Sequence, residues 1–263
     1  MNTSSPDTGL ERQPIRFVLF SSYGNDSCAL IQWAHENALE GLAVVYSDTG
    51  WAFSWWEHRI VEKERWVRSL GFMPYRTTSE GFADLARRKK GFPTQRYQWC
   101  SYVLKIEPGM RWLEENDPHK SAICLVGARR AEAADPLSTR ARFPEYLVRS
   151  ENHGGRMMLA PGVDWTAEDR DAFLDRAGIA PLPHRSGECR CINSNKSDFR
   201  RYEEADISLI EGLEAEVGKS MFRPHRHMGA TGIREVIRWA HSDRGKYEPL
   251  EDNSSCNAAW CEA

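Results

Sequence analysis

The 263-residue chain contains no apolar run approaching the roughly 20 residues that a membrane-spanning helix needs. Its opening stretch, MNTSSPDTGLERQP, lacks the apolar region of a secretory signal. These two absences set the expectation of a cytoplasmic protein with no membrane partner. An excess of basic residues is missing too. With 35 Lys and Arg against 38 Asp and Glu the net charge is -3, which argues against bulk, non-specific coating of nucleic acid and leaves only local basic patches. Internal repeats and long low-complexity segments are absent. The cysteine count of seven is odd and suits thiols, a metal site or redox chemistry better than a disulfide framework. Cys28 and Cys124 sit in apolar runs and read as core. Cys100, Cys189, Cys191, Cys256 and Cys261 lie in polar or aromatic contexts, where a ligand or reactive thiol is the expectation.

What is present begins with FVLFSSYGNDSCALI, residues 17–31. Four apolar residues run into a Ser/Gly/Asn/Asp/Ser cluster and then into an apolar-periodic stretch, the grammar of strand, tight loop and helix. Backbone N–H groups and the positive end of a helix dipole converge in such a loop, so it is either an ordinary turn or an anion cradle. Further strands are expected at Leu42 to Tyr46, Met73 to Arg76 and Ala122 to Val126. Between them lie helical stretches at WWEHRIVEKERWVRSLGF, at SEGFADLARRKK with a Ser79 cap, and at CSYVLKIEPGMRWLEE, which Pro108 must kink or divide. Strands alternating with helices at this spacing predict an α/β fold, a Rossmann-like parallel sheet covered on both faces. Ligands bind beyond the carboxyl ends of such strands, which puts residues 22–27, Asp48-Thr49 and residues 127–130 at one edge. After about residue 145 the sequence predicts a hairpin around HGG, a helix opened by Thr166 with Asp169 completing a capping box, and a mainly helical C-terminal extension.

The order of several motifs carries a resemblance. Ser22-Tyr23-Gly24-Asn25-Asp26-Ser27 resembles the S-x-G-x-D-S pyrophosphate loop of the N-type ATP pyrophosphatases. The further matches are Ser47-Asp48-Thr49-Gly50, Cys100 followed by Leu104-Lys105 and Pro108, Gly127-Ala128-Arg129-Arg130-Ala131-Glu132, and Asp164-Trp165-Thr166 before the Cys189/Cys191 loop. Together they make the chain similar to the phosphoadenosine phosphosulfate reductase family, over about two-thirds of its length. Within it the likeness is to the sulfur-transfer enzymes of bacterial DNA phosphorothioation systems of the Dnd and Ssp type. Three positions depart from the family pattern. Asn25 replaces the loop's common lysine, Ala133 stands where Ser is frequent and Pro136 where Arg is frequent, with Arg140 and Arg142 as substitutes.

The resemblance implies an adenine nucleotide alpha-hydrolase-like fold in residues 15–185, preceded by a polar tail over 1–14 and followed by a cysteine-containing, mainly helical region over 186–263. It implies ATP cleavage to AMP and pyrophosphate, with the nucleotide and its magnesium held by Ser22, Tyr23, Gly24, Asn25, Asp26, Ser27, Asp48, Thr49 and Gly127. Asp26, Lys105, Arg129, Arg130 and Cys100 are the expected catalytic residues. Lys105 has the alternative of a solvated helix residue, and Arg130 that of a partner for Glu132. Cys100, Cys189, Cys191 and a fourth thiolate from Cys256 or Cys261 resemble the family's four-iron–four-sulfur ligands, although the adjacent cysteine pair is reduced here to Cys100 and the C-x-x-C to C-x-C. A persulfide-carrying thiol and structural cysteines are the other readings. The implied partners are ATP, a DNA substrate, and a cysteine desulfurase with other phosphorothioation proteins that deliver sulfur.

DNA would need a basic approach surface. Arg87-Arg88-Lys89-Lys90 with Arg96, Phe92, Tyr97 and Trp99 is one candidate, and Arg223, His225, Arg226 and His227 another; either is equally a solvated face. Two further functions compete with phosphorothioation: a thiol- or iron–sulfur-dependent reductase of phosphoadenylyl or adenylyl sulfate, and a nucleotide-binding subunit that has lost activity. The retained Gly24, Asp26 and Ser27 favour ATP cleavage.

Overall fold

The computed structural model describes residues 14–133, 141–222 and 232–244. Residues 1–13 of the polar tail, Pro136, Arg140, Arg223, His225, Arg226, His227, Cys256 and Cys261 lie outside them. In chain order β1 (Phe17–Phe20) leads to α1 (Asn25–Glu36), β2 (Leu42–Asp48) to α2 (Ser54–Ser69), and β3 (Met73–Thr78) to α3 (Phe82–Lys89). Then α4 (Trp99–Ser101), a π-helical turn (Tyr102–Ile106) and α5 (Glu107–Asn116) run on as one helical stretch to β4 (Ile123–Leu125). β5 (Val148–Ser150) and β6 (Arg156–Leu159) follow, and the chain continues through α6 (Ala167–Arg176), α7 (Lys196–Phe199), α8 (Glu204–Val217) and α9 (Ile233–Ala240). The six strands form one sheet in the order β3-β2-β1-β4-β6-β5, parallel except for the β5–β6 pair.

Alternation along the central strands divides two cores. Val18, Ala43, Val45 and Cys124 face Trp112 and Leu113 on one side of the sheet. Leu19, Val44, Tyr46 and Leu125 face the other, together with Cys28, Leu30 and Ile31 of α1 and Trp56 and Ile60 of α2. Side chains one residue apart on a strand point to opposite faces, so near-continuous apolar runs such as LAVVY are what a doubly covered parallel strand requires. Cys28 and Cys124 are both fully buried, as their apolar contexts predict. Ile207, Ile210 and Leu213 of α8 and Val236 and Ala240 of α9 join the same cluster as Leu19, so the C-terminal helices extend the main core.

Pro108 falls in the first turn of α5, where a missing N–H costs little, and the π-helical turn before it absorbs the change of register. The expected hairpin is present as β5 and β6, joined by a turn in which Gly154 and Gly155 both have positive φ. Helix α3 starts later than its sequence suggests. Ser79 accepts the Gly81 N–H at 3.3 Å and donates to the Asp48 carbonyl at 3.4 Å, while Gly81 at φ 85 is the N-cap. Within the mainly helical C-terminal extension α7 and α8 are separate helices, each opening on its own capping box, Asn195 with Asp198 and Glu203 with Asp206. Among the described residues no helix is long and apolar enough to cross a membrane.

Candidate functional site

Strand order reverses between β1 and β4, and the loops that leave these two strands line the crevice that such a reversal opens. After β1, the Ser21 Oγ accepts the Tyr23 N–H at 3.0 Å and the Ser22 Oγ accepts the Gly24 N–H at 3.2 Å. These two turns hold Tyr23 at φ 58, in the left-handed region that side chains rarely adopt. Arg59 of α2 steadies it from behind, donating Nε–H to the Tyr23 carbonyl at 2.7 Å, and the Cys28 thiol donates to the same oxygen at 3.5 Å. Gly24 is the N-cap of α1 and offers no side-chain cap. The first-turn N–H groups at Asn25, Asp26 and Ser27 therefore form the positive end of an uncapped helix at the mouth of the crevice. Ser27 turns its hydroxyl back to the Gly24 carbonyl at 3.2 Å.

Two side chains of this turn are committed in different directions. Asn25 makes a two-point clamp with the backbone of Leu182: Nδ2–H donates to its carbonyl and Oδ1 accepts its N–H, both at 2.9 Å. Asp26 reaches across the crevice to the segment after β4, where its Oδ1 accepts Arg129 Nε–H at 2.5 Å. Arg129 is 5% exposed and donates its Nη2–H to Glu132 at 2.8 Å, so the carboxylate pairing expected for Arg130 belongs to its neighbour. Arg130 turns outward to Glu145 at 2.7 Å, Asp164 at 2.6 Å and the Phe143 carbonyl, and does not join Asp26. Gly127 lies against Asp26, with room for a Cβ 3.8 Å from that of Asp26. Asp48, at the end of β2, accepts the Gly50 N–H at 2.9 Å.

Lys105, Thr49 and the cysteines occupy a second, adjoining place. Cys100, Cys189 and Cys191 line one cleft with Thr49, Trp51 and Lys105, enclosing about 440 Å³ of space including its open mouth. Lys105 is buried and donates to Glu188 Oε1 at 2.7 Å, which rules out the solvated-helix alternative. The C-x-C segment is held from several sides. Trp51 accepts the Arg190 N–H and donates Nε1–H to the Arg190 carbonyl, both at 3.1 Å, and Arg190 binds Asp206 and the Ala52 carbonyl. A Cβ on Gly187 would meet the Trp55 ring at 2.6 Å, so only glycine allows this close approach. Cys191 is acidified to about 6 by a hydrogen bond from the Cys189 thiol, with help from Arg185, the Asn193 N–H and Lys105, against the opposing effect of burial. Burial pushes the Cys124 thiol up to about 12 and also raises Cys28.

Metal ligation was tested on the same residues. A four-iron cluster needs four thiolates; Cys261 is outside the described residues, and among those described no three His, Cys, Asp or Glu side chains converge to hold a metal ion. The Asp26 carboxylate, in the crevice beyond β1, is an oxygen donor of the kind that suits a hard cation.

The basic run on α3 is largely neutralised. Arg87 pairs with Asp84 and Glu216, and Arg88 with Glu80. Lys89 lies over the Trp99 ring, and Trp99 and Phe92 stack on Phe82 in the interior. Tyr97 alone of the three aromatics is strongly exposed, at 71%. Sequence reasoning missed Arg59, Leu182, Arg185, Glu188 and Arg201. Glu188 could have been found as the residue beside Cys189; the others show no signal until tertiary structure brings them to the site.

Comparisons with known proteins give the chain a family. Residues 16–192 match the phosphoadenosine phosphosulfate reductase domain family. An uncharacterized 37.8 kDa protein of Escherichia phage 186 is 27% identical over 232 residues, covering 75% of this chain and 68% of that protein. An uncharacterized protein of Methanocaldococcus jannaschii is 30% identical over 122 residues, 46% of this chain and only 24% of its own length. A second protein of that archaeon is 26% identical over 148 residues, 56% of this chain and 33% of its own length. The crystal structure of phosphoadenylyl-sulfate reductase from Candida auris in a phosphate complex aligns with a TM-score of 0.43 at 14% identity, covering 64% of this chain and 75% of that one.

Proposed function

The chain belongs to the phosphoadenosine phosphosulfate reductase domain family, and from that premise we propose that it is an ATP pyrophosphatase that activates a phosphate oxygen for sulfur transfer, with the DNA backbone as acceptor. The observation that carries the reading is the Asp26–Arg129 contact of 2.5 Å between the loops after β1 and β4, beside the uncapped start of α1. An uncapped helix start favours anions, and a buried guanidinium beside it stabilises charge that develops on a phosphoryl group. In the absence of nucleotide, Asp26 satisfies Arg129. Phosphate oxygens entering the crevice take over that role, leaving Asp26 available. Magnesium bound with the nucleotide would lower the charge on its phosphates, and Asp26 is the side chain that would hold it.

The cysteine cleft supplies the second half. Cys191, its thiol acidified by the hydrogen bond from Cys189, is the sulfur-handling group, with Cys100 on the same cleft. Lys105 and Glu188 form the buried pair beneath them. Sulfur delivered as a persulfide by a cysteine desulfurase, with other phosphorothioation proteins as partners, would be received on Cys191. Its outer sulfur would attack the adenylated phosphorus and displace AMP, and a second cleft thiol, Cys189 or Cys100, would then cleave the S–S bond, leaving sulfur on the acceptor and a disulfide between the two cysteines. The same acidified thiol supports a second reading, thiol-dependent reduction of a sulfonucleotide.

One assay separates them. The anaerobically purified protein is given ATP and magnesium with and without single-stranded or duplex DNA, and AMP and pyrophosphate are quantified beside Asp26→Ala and Arg129→Ala. AMP formation lost in both variants is expected. Absence of AMP under every condition, with sulfite released from phosphoadenylyl sulfate in a Cys191-dependent manner, would replace the first reading by the second.

A further inference from the structure

Behind the Cys189/Cys191 segment lies a second cavity, about 350 Å³ including its opening, lined among others by Arg185, Ser186, Ser194, Asp198 and Arg201. Cys189 and Cys191 line this cavity as well as the Lys105 cleft, so the C-x-C segment is a wall between the two. Arg185 and Arg201 bring two guanidinium groups to this cavity, and Arg185 Nη1–H donates to the Asn193 carbonyl at 3.1 Å. Asp198 is 3.9 Å from Arg185 and 3.7 Å from Arg201, and its Oδ2 already accepts the Asn195 N–H at 2.9 Å as half of a capping box. Glu188, the other acid on the wall, is paired with Lys105. The Nη1 of Arg201 is buried and has no hydrogen-bond partner. Its guanidinium carbon lies over the Trp55 ring, 5.6 Å from the centroid.

A buried charged donor without an acceptor is costly, and native proteins retain such a group where a ligand, ion or water completes it. We propose that this cavity binds a small tetrahedral oxyanion, held by Arg185 and Arg201 with the Ser186 and Ser194 hydroxyls at its edge. A planar guanidinium matches two oxygens of such an anion, and two of them give the site a fixed orientation. Burial and the neighbouring Arg185 hold the Arg201 pKa below its ordinary value, outweighing the opposing effect of Asp198. The shared chemistry fits both a sulfur oxyanion and a phosphoryl group. Ser186 connects the cavity to the phosphate loop, since its Cβ lies 3.4 Å from where a Cβ on Gly24 would be. Binding here does not depend on ATP cleavage, so the inference stands apart from the proposed function.

The test is calorimetric titration of the full chain with sulfate, sulfite, thiosulfate and inorganic phosphate, with chloride as control, on the wild type and on Arg201→Gln, Arg185→Gln and Arg129→Gln. Arg201→Gln should weaken anion binding about tenfold or more, the loss expected when one charged hydrogen-bond donor is removed. Arg129→Gln should remove only anion binding at the crevice after β1 and leave the Arg201-dependent binding in place. Arg201→Gln should also melt no lower than the wild type without anion, because it removes an unsatisfied buried charge, and should lose the anion-induced rise in Tm. Preference for the sulfur anions would assign the site to a sulfur-oxyanion substrate or product, and preference for phosphate to a phosphoryl group of nucleotide or nucleic acid; either supports the proposal. Wild-type affinity retained in Arg201→Gln, or binding abolished only in Arg129→Gln, would overturn it, as would no anion binding to the wild type.

Discussion

Replacing Asn25 by alanine removes both hydrogen bonds to the Leu182 backbone, each 2.9 Å long, from a side chain that is 4% exposed. A neutral hydrogen bond contributes about 1 kcal/mol net, and a donor or acceptor left unsatisfied costs about 1–3 kcal/mol when buried. Leu182 is half-buried, so water partly rescues its amide and carbonyl; the expected loss is about 2 kcal/mol, or about 4–8 °C in Tm for a domain of this size. Thermal unfolding by circular dichroism measures the shift, and hydrogen exchange at the Leu182 amide locates it. Asn25→Asp keeps the acceptor for the Leu182 N–H but sets a carboxylate against the Leu182 carbonyl and the incoming phosphates, so it should melt below the wild type and raise the KM for ATP. Asn25→Lys, which installs the lysine common in the family, should also destabilise, because an ammonium cannot accept the Leu182 N–H. Melting of Asn25→Ala within about 1 °C of the wild type, with the Leu182 amide still protected, would refute the clamp.

Four further outcomes follow from the same geometry. Arg59→Ala should weaken pyrophosphate binding about tenfold while leaving AMP binding within error, because it releases the Tyr23 carbonyl behind the phosphate loop; equal losses for both ligands would mean general damage. Glu188→Gln strands a buried ammonium on Lys105 and should cost about 3–5 kcal/mol in urea unfolding. Iodoacetamide should label Cys191 with a rate that rises through about pH 6, whereas Cys28 and Cys124 stay unlabelled until the protein unfolds. Since the folded Cys191 pKa is depressed, the unfolded chain binds more protons between about pH 6 and the ordinary thiol value, so its contribution to stability is full above that window and is lost as pH falls through 6. His153, held down to about 4 by burial and by Arg156, acts with the same sign at lower pH; stability should fall as pH drops from about 6.5 toward 4, and His153→Gln should flatten that slope.

The central strands were legible because a parallel strand covered on both faces leaves an unmistakable apolar run, and FVLF, LAVVY and the stretch around Cys124 each pair as such runs do. The rule that ligands bind beyond the carboxyl ends then brought Asp26, Gly127 and Arg129 to one crevice, although only the coordinates show which arginine is aimed inward. Arg129 and Arg130 are adjacent and chemically identical in sequence. The carbonyl of Val163 accepts the Arg130 N–H, and Phe143, Glu145 and Asp164 draw its side chain to the surface, an outcome set by residues up to 34 positions away. The loop cap at Ser79 was misplaced for a related reason. A serine before a helix-forming run satisfies the local rule, but Phe82 donates its N–H to the Thr49 carbonyl, and that tertiary bond fixes where α3 starts. Asn25 is expected from its neighbours to face a nucleotide, whereas its side chain clamps Leu182, which is 157 residues away and has no side-chain signature.

The phosphate loop and the thiol cleft are therefore joined by one stretch of chain. Leu182 is clamped to Asn25 of the loop, Ser186 packs on Gly24, Gly187 accepts the Phe53 N–H against the face of Trp55, Glu188 pairs with Lys105, and Cys189 and Cys191 follow directly. The segment over 182–191 has regular structure at neither end and is held by these contacts, each of which fixes a different neighbour. Were a nucleotide to bind at the loop after β1 as proposed, a change there would act on Asn25 and Gly24 first, and Cys189 and Cys191 follow seven and nine positions after Leu182 on a backbone pinned at Gly187 and Arg190. The consequence is directional. Mutations that loosen the Asn25 clamp should alter Cys191 reactivity as well as nucleotide affinity, whereas mutations at Arg130, which faces away from this segment, should alter neither.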